Sequence, residues 1–594
     1  MEKRWVLKEQ GDKKHIQHLA QVLKIDPSLA NLLVQRGITT FEEARAFFRP
    51  SLDDLHDPFL MKDMDRAVSR IERAIDQGEK ILVFGDYDVD GTSAVALVFL
   101  FLKTFTSNID FYLPDRYTEG YGISTKSIDY AAQSGFSLII ALDCGIKAVE
   151  KITYAKSKNI DYIIADHHRP GELLPEAVAV LDPKRNDCSY PFNELSGCGV
   201  GFKLVQAIAE KRHIPFGDLH KYLDLVVVSI ASDIVQITGE NRILAYYGLQ
   251  LINSNPRPGI EAILKCSGIN RKYPEQLHGD DDRQREDCIF GKKLTISDLV
   301  FVIGPRINAA GRIENARNSV NLLIAEDLAT AEDYARQVDD FNTERKSLDA
   351  NTTLDALEMI RSDRKLTDAR TTVLYNPKWH KGVIGIVASR LIETYYRPTI
   401  VLTQSNGLIT GSARSIKDFD IYAAVDACSD LLEHFGGHKY AAGLSFKTEK
   451  LEFFKRRFEE YVTANLGDAL VTPEVEIDEE LCLSAINKKF VSILKQFAPF
   501  GPGNMSPLFR TDQVKDTGAA RKVGQNHLKL EVFHPHVNAF PISAIAFQQA
   551  EHLDLINKNL PFNICYHIEE NEWNNNVTIQ LNIKDIKPVD DYYP

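Results

Sequence analysis

Between Lys80 and residue 183 the chain presents five short apolar runs, ILVFGD, IDFYLPD, LIIALDCG, DYIIADHH and AVAVLDP, with helical stretches such as TSAVALVFLFLKTF and IKAVEKITYAKSK between several of them. The runs are often β-branched and apolar throughout. Strands of that kind alternating with helices predict a parallel sheet covered on both faces. An open parallel sheet gathers ligands at the carboxyl ends of its strands, and several of these runs end in acidic residues there.

The 594 residues are too many for one core and predict about three to five domains. Residues 1–55 read as a small helical lead-in, with Thr40 before Glu42 and Glu43 as a helix start and Pro50 as its end. Residues 56–318 hold the α/β unit and a helical extension over about 199–254. Within it, the polar segment 271–293 reads as a surface loop or insertion. A long charge-laced helix over 319–365 connects to a second α/β unit, 366–460, and residues 465–590 alternate like a small antiparallel barrel or sandwich. No apolar run approaches the ~18 residues of a membrane span, so no membrane partner is expected. The basic N-terminus lacks an apolar signal core, and a cytoplasmic location is the expectation. Eight cysteines without a CxxC pair suggest reduced thiols, with neither a zinc knuckle nor a disulfide framework.

The first strand runs into a loop that places Asp86, Asp88 and Asp90 at alternate positions before Gly91 and a helix. Three crowded carboxylates repel one another unless cations neutralise them. An EF-hand would need a bidentate Glu where this chain has Leu97, and no Gly-Lys-Ser/Thr of a P-loop follows. Asp143, Asp166-His167-His168 and Asp233 occupy equivalent places further on. A lone strand-end Asp is ordinarily a helix cap or turn residue; the joint occurrence carries the metal reading. Carboxylate oxygens with an imidazole suit Mn²⁺ or Mg²⁺, and two such ions can bind a phosphate and stabilise an in-line displacement.

DYDVDG, LDCG, DHH and SIASDI resemble the four signature motifs of the DHH phosphoesterase family. GPRINAAGR (304–312), WHKGVIGIVASR (379–390), GSARS (411–415) and FGGHKYAAG (435–443) are similar to its branch of exonucleases that degrade single-stranded DNA from 5′ to 3′, and the resemblance covers about residues 50–590. It implies a parallel-sheet DHH domain, a long connecting helix, a second α/β DHH-associated domain and a C-terminal OB-fold β-barrel. It further implies two Mn²⁺ or Mg²⁺ ions, release of 5′-mononucleotides, and work in DNA repair and recombination. The partners it implies are single-stranded DNA, a RecQ-type helicase and a single-stranded-DNA-binding protein. Carried over by position, Asp86, Asp88, Asp90, Asp143, His167 and Asp233 are the metal ligands, with Asp143 bridging. Asp88, Asp90, Asp143, His167 and His168 form the catalytic set, His168 touching substrate phosphate or supporting a ligand. The family often has His where this chain has Phe84, so the first metal relies on Asp86.

Ser412 and Arg414 stand beside small residues, where a guanidinium and a hydroxyl can grip a phosphate. The resemblance makes this the 5′-phosphate pocket, with Arg116, Arg306, His380 and His438 as further substrate-binding candidates. The net charge of −13 supplies no global pull toward nucleic acid. Local patches do: Lys378, Lys381, Arg390, Arg397, Arg414 and Lys417, and in the barrel Arg510, Lys515, Arg521, Lys522 and Lys529. Phe509 and Phe533 are either stacking platforms or strand core. Two rival functions remain at this point: a DHH phosphodiesterase for oligonucleotides or cyclic dinucleotides, against which the extra barrel counts, and a catalytically silent DNA-binding scaffold, which has no need of the full acidic cluster.

Overall fold

A computed structural model describes residues 3–272, 288–313, 316–467, 472–537, 540–573 and 576–589. Most of the 271–293 loop therefore lies outside the described residues. The chain divides into two compact units. One holds residues 56–235 and 247–473; the other holds 4–55, 236–246 and 474–594.

In the larger unit, β1 (Ile81–Gly85), β2 (Ile109–Tyr112), β3 (Leu138–Leu142), β4 (Asp161–Ala165) and β5 (Ala179–Leu181) form the expected parallel sheet, in the order β2-β1-β3-β4-β5. Every residue of β1 and β3 is buried, as continuous apolar strands require. Helix α1 (Val89–Leu102) is apolar on all sides and buried nearly throughout; it packs against α2 (Gly197–Lys211) and α3 (Leu223–Ser232). Strand order reverses between β1 and β3, so the ends of these two neighbours flank the crevice where such sheets bind ligands. Asp86 and Asp143 are the residues at those ends.

Helix α4 (Gly304–Ile313) precedes α5 (Leu328–Ser362), whose 35 residues extend about 52 Å at 1.5 Å each. The expected connecting helix over 319–365 is thus two: Arg317–Ile324 ends separately, and Asp327 starts α5 by accepting the Thr330 N–H at 2.9 Å. Beyond it, β6 (Thr372–Tyr375), β7 (Thr399–Ser405), β8 (Leu408–Arg414), β9 (His434–His438) and β10 (Ala441–Phe446) form a sheet of order β9-β10-β8-β7-β6. Only β6 and β7 run parallel. Helix α6 (Ile384–Tyr395) covers β7 and β8. A further helix, Leu451–Asn465, inserts Phe454, Phe458 and Val462 into the core of this sheet, so the unit extends past the expected boundary at 460.

In the smaller unit, Glu479–Glu480, Phe509–Asp516, Arg521–Val523, His527–Phe533, Ile542–Ala546, Phe562–Trp573 and Asn576–Pro588 make a seven-stranded sheet, in which Phe509–Asp516 also pairs with His527–Phe533. It is not wholly antiparallel as expected: Ile542–Ala546 pairs parallel with Asn576–Pro588. Residues 4–55 are more than a helical lead-in. Strand Arg4–Leu7 pairs with Glu474–Ile477, and Leu29, Leu32 and Leu33 share a core with Phe490 and Phe497. Thr40 does cap Phe41–Phe48, in a capping box with Glu43. Among the described residues no helix is long and apolar enough to cross a membrane.

Candidate metal centre and phosphate pocket

Asp86, Asp88 and Asp90 lie in the turn from β1 into α1. Asp88 caps α1, accepting the Gly91 N–H at 3.1 Å. Asp90 accepts the N–H groups of Gly197 and Cys198 and the Ser229 hydroxyl, each at 2.7 Å. The first free N–H groups of α2 thus hold this carboxylate in place. Asp143 follows β3 with φ 59°, a left-handed conformation that Asp tolerates better than most residues. Helix α2 approaches it so closely that a Cβ on Gly197 would stand 2.6 Å from the Asp143 Cβ.

His167, after β4, places Nδ1 3.0 Å from the Leu195 carbonyl. A carbonyl only accepts, so Nδ1 carries the proton and Nε2 of the neutral ring carries a lone pair. That Nε2 lies 3.2 Å from Asp143 Oδ1, 3.5 Å from Asp233 Oδ2 and 3.7 Å from Asp90 Oδ2. Nε2 and Asp143 Oδ1 are buried without hydrogen-bond partners. A lone pair facing three carboxylates is repulsive unless a cation sits among them. Two ligand triads result, Asp143-His167-His168 and Asp90-His167-Asp233, each with donor atoms within 4.8 Å of one another. Burial, then Asp90 and Asp88, raises the Asp143 carboxyl well above its ordinary range; burial and the same neighbours lift Asp233 to about 8. Burial also lowers the His167 imidazole, favouring the ring with a free lone pair. Oxygen donors with imidazole fit a hard divalent ion such as Mn²⁺ or Mg²⁺.

Beside the triads, Asp166 accepts from the backbone N–H of Ile146, His167 and His168 and from the His168 ring, whose Nδ1 is 2.8 Å away. Burial opposes its charge, but His168 and these N–H groups hold it down at about 2. Burial likewise works against a charged His168, and Asp166 outweighs it, raising His168 to about 9. The Tyr121 hydroxyl lies 3.3 Å from His168 Nε2 and donates to the Asp143 carbonyl at 3.2 Å.

A second convergence is cationic. Ser412 and Arg414 project from one face of β8, and the Arg414 guanidinium donates to the Ser412 hydroxyl at 2.9 Å. Gly385 of α6 lets them pack closely, since a Cβ there would come within 2.9 Å of both side chains. Arg116 lies over the Tyr87 ring, 4.3 Å from its centre. Arg312, at the end of α4, is lowered to about 10 by burial and then by Arg116, Arg345 and Arg414, which puts each of these three guanidinium groups within electrostatic reach of it. Among the described residues Arg116, Arg312 and Arg414 make no ion pair. Such a cluster calls for an anion with several oxygens.

Comparison with known proteins places the chain in a family. Residues 80–230 match the DHH family N-terminal domain, 368–464 the DHHA1 domain and 477–585 the RecJ OB domain. The chain is 36% identical over 589 residues to the single-stranded-DNA-specific exonuclease RecJ of Bacillus subtilis, covering 98% of this chain and 70% of that protein. It belongs to the RecJ family. Identity to the Escherichia coli RecJ is 32% over 587 residues, covering 95% of this chain and 96% of that one. The crystal structure of Thermus thermophilus RecJ in complex with Mn²⁺ superimposes with a TM-score of 0.81 at 25% identity, over 99% of this chain and 80% of that one.

In this RecJ-family chain the structure brings Asp90, Asp143, His167 and Asp233 together, with His168 beside them. Asp86 and Asp88 fall in neither triad among the described residues. Asp88 is engaged as a helix cap, and Asp86 is fully buried with Oδ2 unpartnered, near Asp88, Gly122 and Arg116. Phe84 stacks on Tyr112 at 5.9 Å, which makes its position apolar core. Arg306 neighbours Arg345 but is held by Asp339 at 2.8 Å and by the Val302 carbonyl, to which it donates. His380 accepts the Gly382 N–H at 3.2 Å beside Tyr117, and His438 lines a cavity next to the cluster. Part of the proposed basic patch is structural, because Arg397 is buried against the carbonyls of Leu366, Thr367 and Ala369, Arg390 pairs with Asp349 and Arg510 with Asp512. Phe509 is core, whereas Phe533 is half-buried. Sequence reasoning missed Arg312, Arg345 and the cradle of Gly197, Cys198 and Ser229. The small-residue run SGCGVG, opening a helix, was the available signal for that cradle.

Proposed function

We propose that this chain is a metal-dependent exonuclease that hydrolyses single-stranded DNA from the 5′ end to 5′-mononucleotides, in DNA repair and recombination. The observation that carries it is the unpartnered His167 Nε2 facing Asp143, Asp233 and Asp90. Two Mn²⁺ or Mg²⁺ ions, when bound, supply Lewis acidity and an activated water for in-line attack on the phosphodiester. Asp90, Asp143, His167 and Asp233 would hold them, with Asp86 and Asp88 as the further carboxylates that would complete the shell. His167 is common to both triads, but one ring nitrogen has one lone pair, whereas a carboxylate has two oxygens; Asp143, whose Oδ1 is the nearest carboxylate oxygen to His167 Nε2 at 3.2 Å, is the residue that would be shared. His168, whose Nδ1 lies 2.8 Å from Asp166, is raised by that carboxylate despite its burial and would offer a ring N–H to charge developing on the phosphate. Arg116, Arg312, Arg414 and Ser412 bind the terminal 5′-phosphate, which sets polarity and presents the first linkage in register.

The domain division proposed is 56–318 for the DHH domain, 328–362 for the connecting helix, 366–466 for the DHH-associated domain and 474–589, with 4–55, for the C-terminal unit. The pairing of Phe509–Asp516 with His527–Phe533 supports closure of the C-terminal sheet into an OB-fold barrel. Lys515, Arg521, Lys522 and Lys529 on it would follow the backbone of a longer strand. An enzyme confined to single strands works with a helicase, of RecQ type, and meets single-stranded-DNA-binding protein on its substrate. The test is a time course on single strands labelled at either end, with Mn²⁺, Mg²⁺ or chelator. Mononucleotides released first from the 5′ end, only with metal, support the reading; release first from the 3′ end, or undiminished by chelation, overturns it.

A further inference from the structure

A cavity of about 880 Å³ adjoins the metal centre, lined on that side by Asp88, Asp166 and His168. This falls within the range of small-ligand pockets, about 300–1,000 Å³. Elsewhere its lining includes Lys147, Lys151 and His438. Among the described residues neither lysine makes an ion pair. The helix Val149–Ser157 starts in this wall with Ala148 at its N-cap, which gives no side-chain acceptor to the first free N–H groups. Glu150 shares this helix end, where the two lysines leave one net positive charge, and Asp88 and Asp166 line the side toward the metal centre. His438 is lowered by burial and then by Lys147, His168 and Lys184, which puts these groups in one electrostatic patch although they come from separate segments. The arginines of the 5′-phosphate pocket are absent from this lining.

The two cationic sets share no member. If the terminal phosphate lies among the arginines and the first linkage lies at the carboxylates, the strand must leave the centre by another route. We propose that this cavity is a second phosphate subsite, in which Lys147, Lys151 and the first turn of the Val149–Ser157 helix hold the phosphodiester immediately 3′ of the scissile linkage. The proposal rests on the exonuclease reading above. It predicts a requirement that neither the metal centre nor the arginine pocket imposes: full activity needs a negatively charged second linkage, hence at least a trinucleotide.

The test uses the full chain with Mn²⁺ and three 5′-phosphorylated substrates: a dinucleotide, a trinucleotide, and the trinucleotide with an uncharged methylphosphonate at its second linkage. In wild type the uncharged linkage should lower kcat/KM about tenfold or more, to near the dinucleotide value. The Lys147→Gln/Lys151→Gln double variant should lose a similar factor on the ordinary trinucleotide, lose nothing on the dinucleotide, and be indifferent to the methylphosphonate. Equal losses on dinucleotide and trinucleotide would place the lysines in the service of the metal centre and overturn the subsite. So would a variant, or a wild type, that ignores the charge of the second linkage. Failure of the underlying reading is separate: wild type then releases no 5′-mononucleotide from any of the three.

Discussion

Replacing Gly197 by alanine should disable the metal centre without unfolding the protein. A Cβ at this position would stand 2.6 Å from Asp143 Cβ, 2.7 Å from Oδ1 and 2.9 Å from Cγ, where unstrained carbon contacts lie at about 3.5–4.0 Å. Relief requires a displacement of roughly 0.8 Å or more. The Gly197 N–H is tied to Asp90 and the Asp143 N–H to the Ala165 carbonyl at 2.9 Å, so the motion falls largely on the two ligand carboxylates. A misplacement of about 1 Å costs on the order of 100-fold in rate. Disturbing the groups that orient metal ligands costs about 10- to 100-fold in metal affinity. Alanine in a helix is favoured over glycine by up to about 1 kcal/mol, which works against a collapse in stability. Gly201→Ala, one turn further along α2, is the control: its Cβ would meet Leu142 and Val98 at 3.5 Å, an ordinary contact. The assay is nucleotide release from 5′-phosphorylated single strands as Mn²⁺ is titrated, with thermal midpoints measured in parallel. Wild-type turnover and Mn²⁺ dependence in Gly197→Ala would refute the reasoning, as would an equal loss in Gly201→Ala.

Arg414→Ala should reduce the preference for 5′-phosphate over 5′-hydroxyl ends while leaving residual metal-dependent cleavage; an unchanged ratio of the two rates would remove Arg414 from the pocket. Asp166→Asn takes away the partner that holds His168 at about 9 against burial, so the alkaline limb of kcat/KM between pH 6 and 10 should move down by a unit or more, and an unmoved limb would exclude His168 as the charged group. Chelation should make stability pH-dependent. Asp143 and Asp233 have raised folded-state values, Asp233 about 8, so without metal the folded state binds extra protons above the ordinary carboxylate range; the stability this contributes is lost as pH rises toward 8. Thermal midpoints between pH 5 and 8 should therefore fall in chelator and level off with Mn²⁺, and parallel slopes in the two conditions would count against cation neutralisation of the cluster.

The parallel sheet and the acidic groups at its strand ends were legible because both are local patterns. An apolar run followed by Asp reads the same in the sequence as in β1 and β3. The cradle around Asp90 was harder to read, because its donors, Gly197, Cys198 and Ser229, lie more than 100 residues away and offer mostly backbone N–H groups; the small residues of SGCGVG mark a close approach but not its partner. The membership of residues 4–55 was hidden for a related reason. Their apolar positions announce helices but not the partner, which is a strand and core some 470 residues on.

The arginines show where motif reading and folded geometry part. Ser412 and Arg414 are two apart on a strand, a spacing that puts side chains on the same face whatever the sheet packs against, so their pairing could be proposed from the sequence. Arg306 and Arg312 lie in one motif and, in the structure, on one helix. Six residues at 100° each leave them about 120° apart around its axis, so they face largely different surroundings, with Arg345 beside both. The face carrying Arg306 is taken by Asp339 of α5, and Arg312 is left to meet Arg116, Arg345 and Arg414. Composition ranks the two arginines equally; helical phase, fixed by the packing of α4 on α5, decides that Arg306 meets Asp339 while Arg312 meets Arg116 and Arg414.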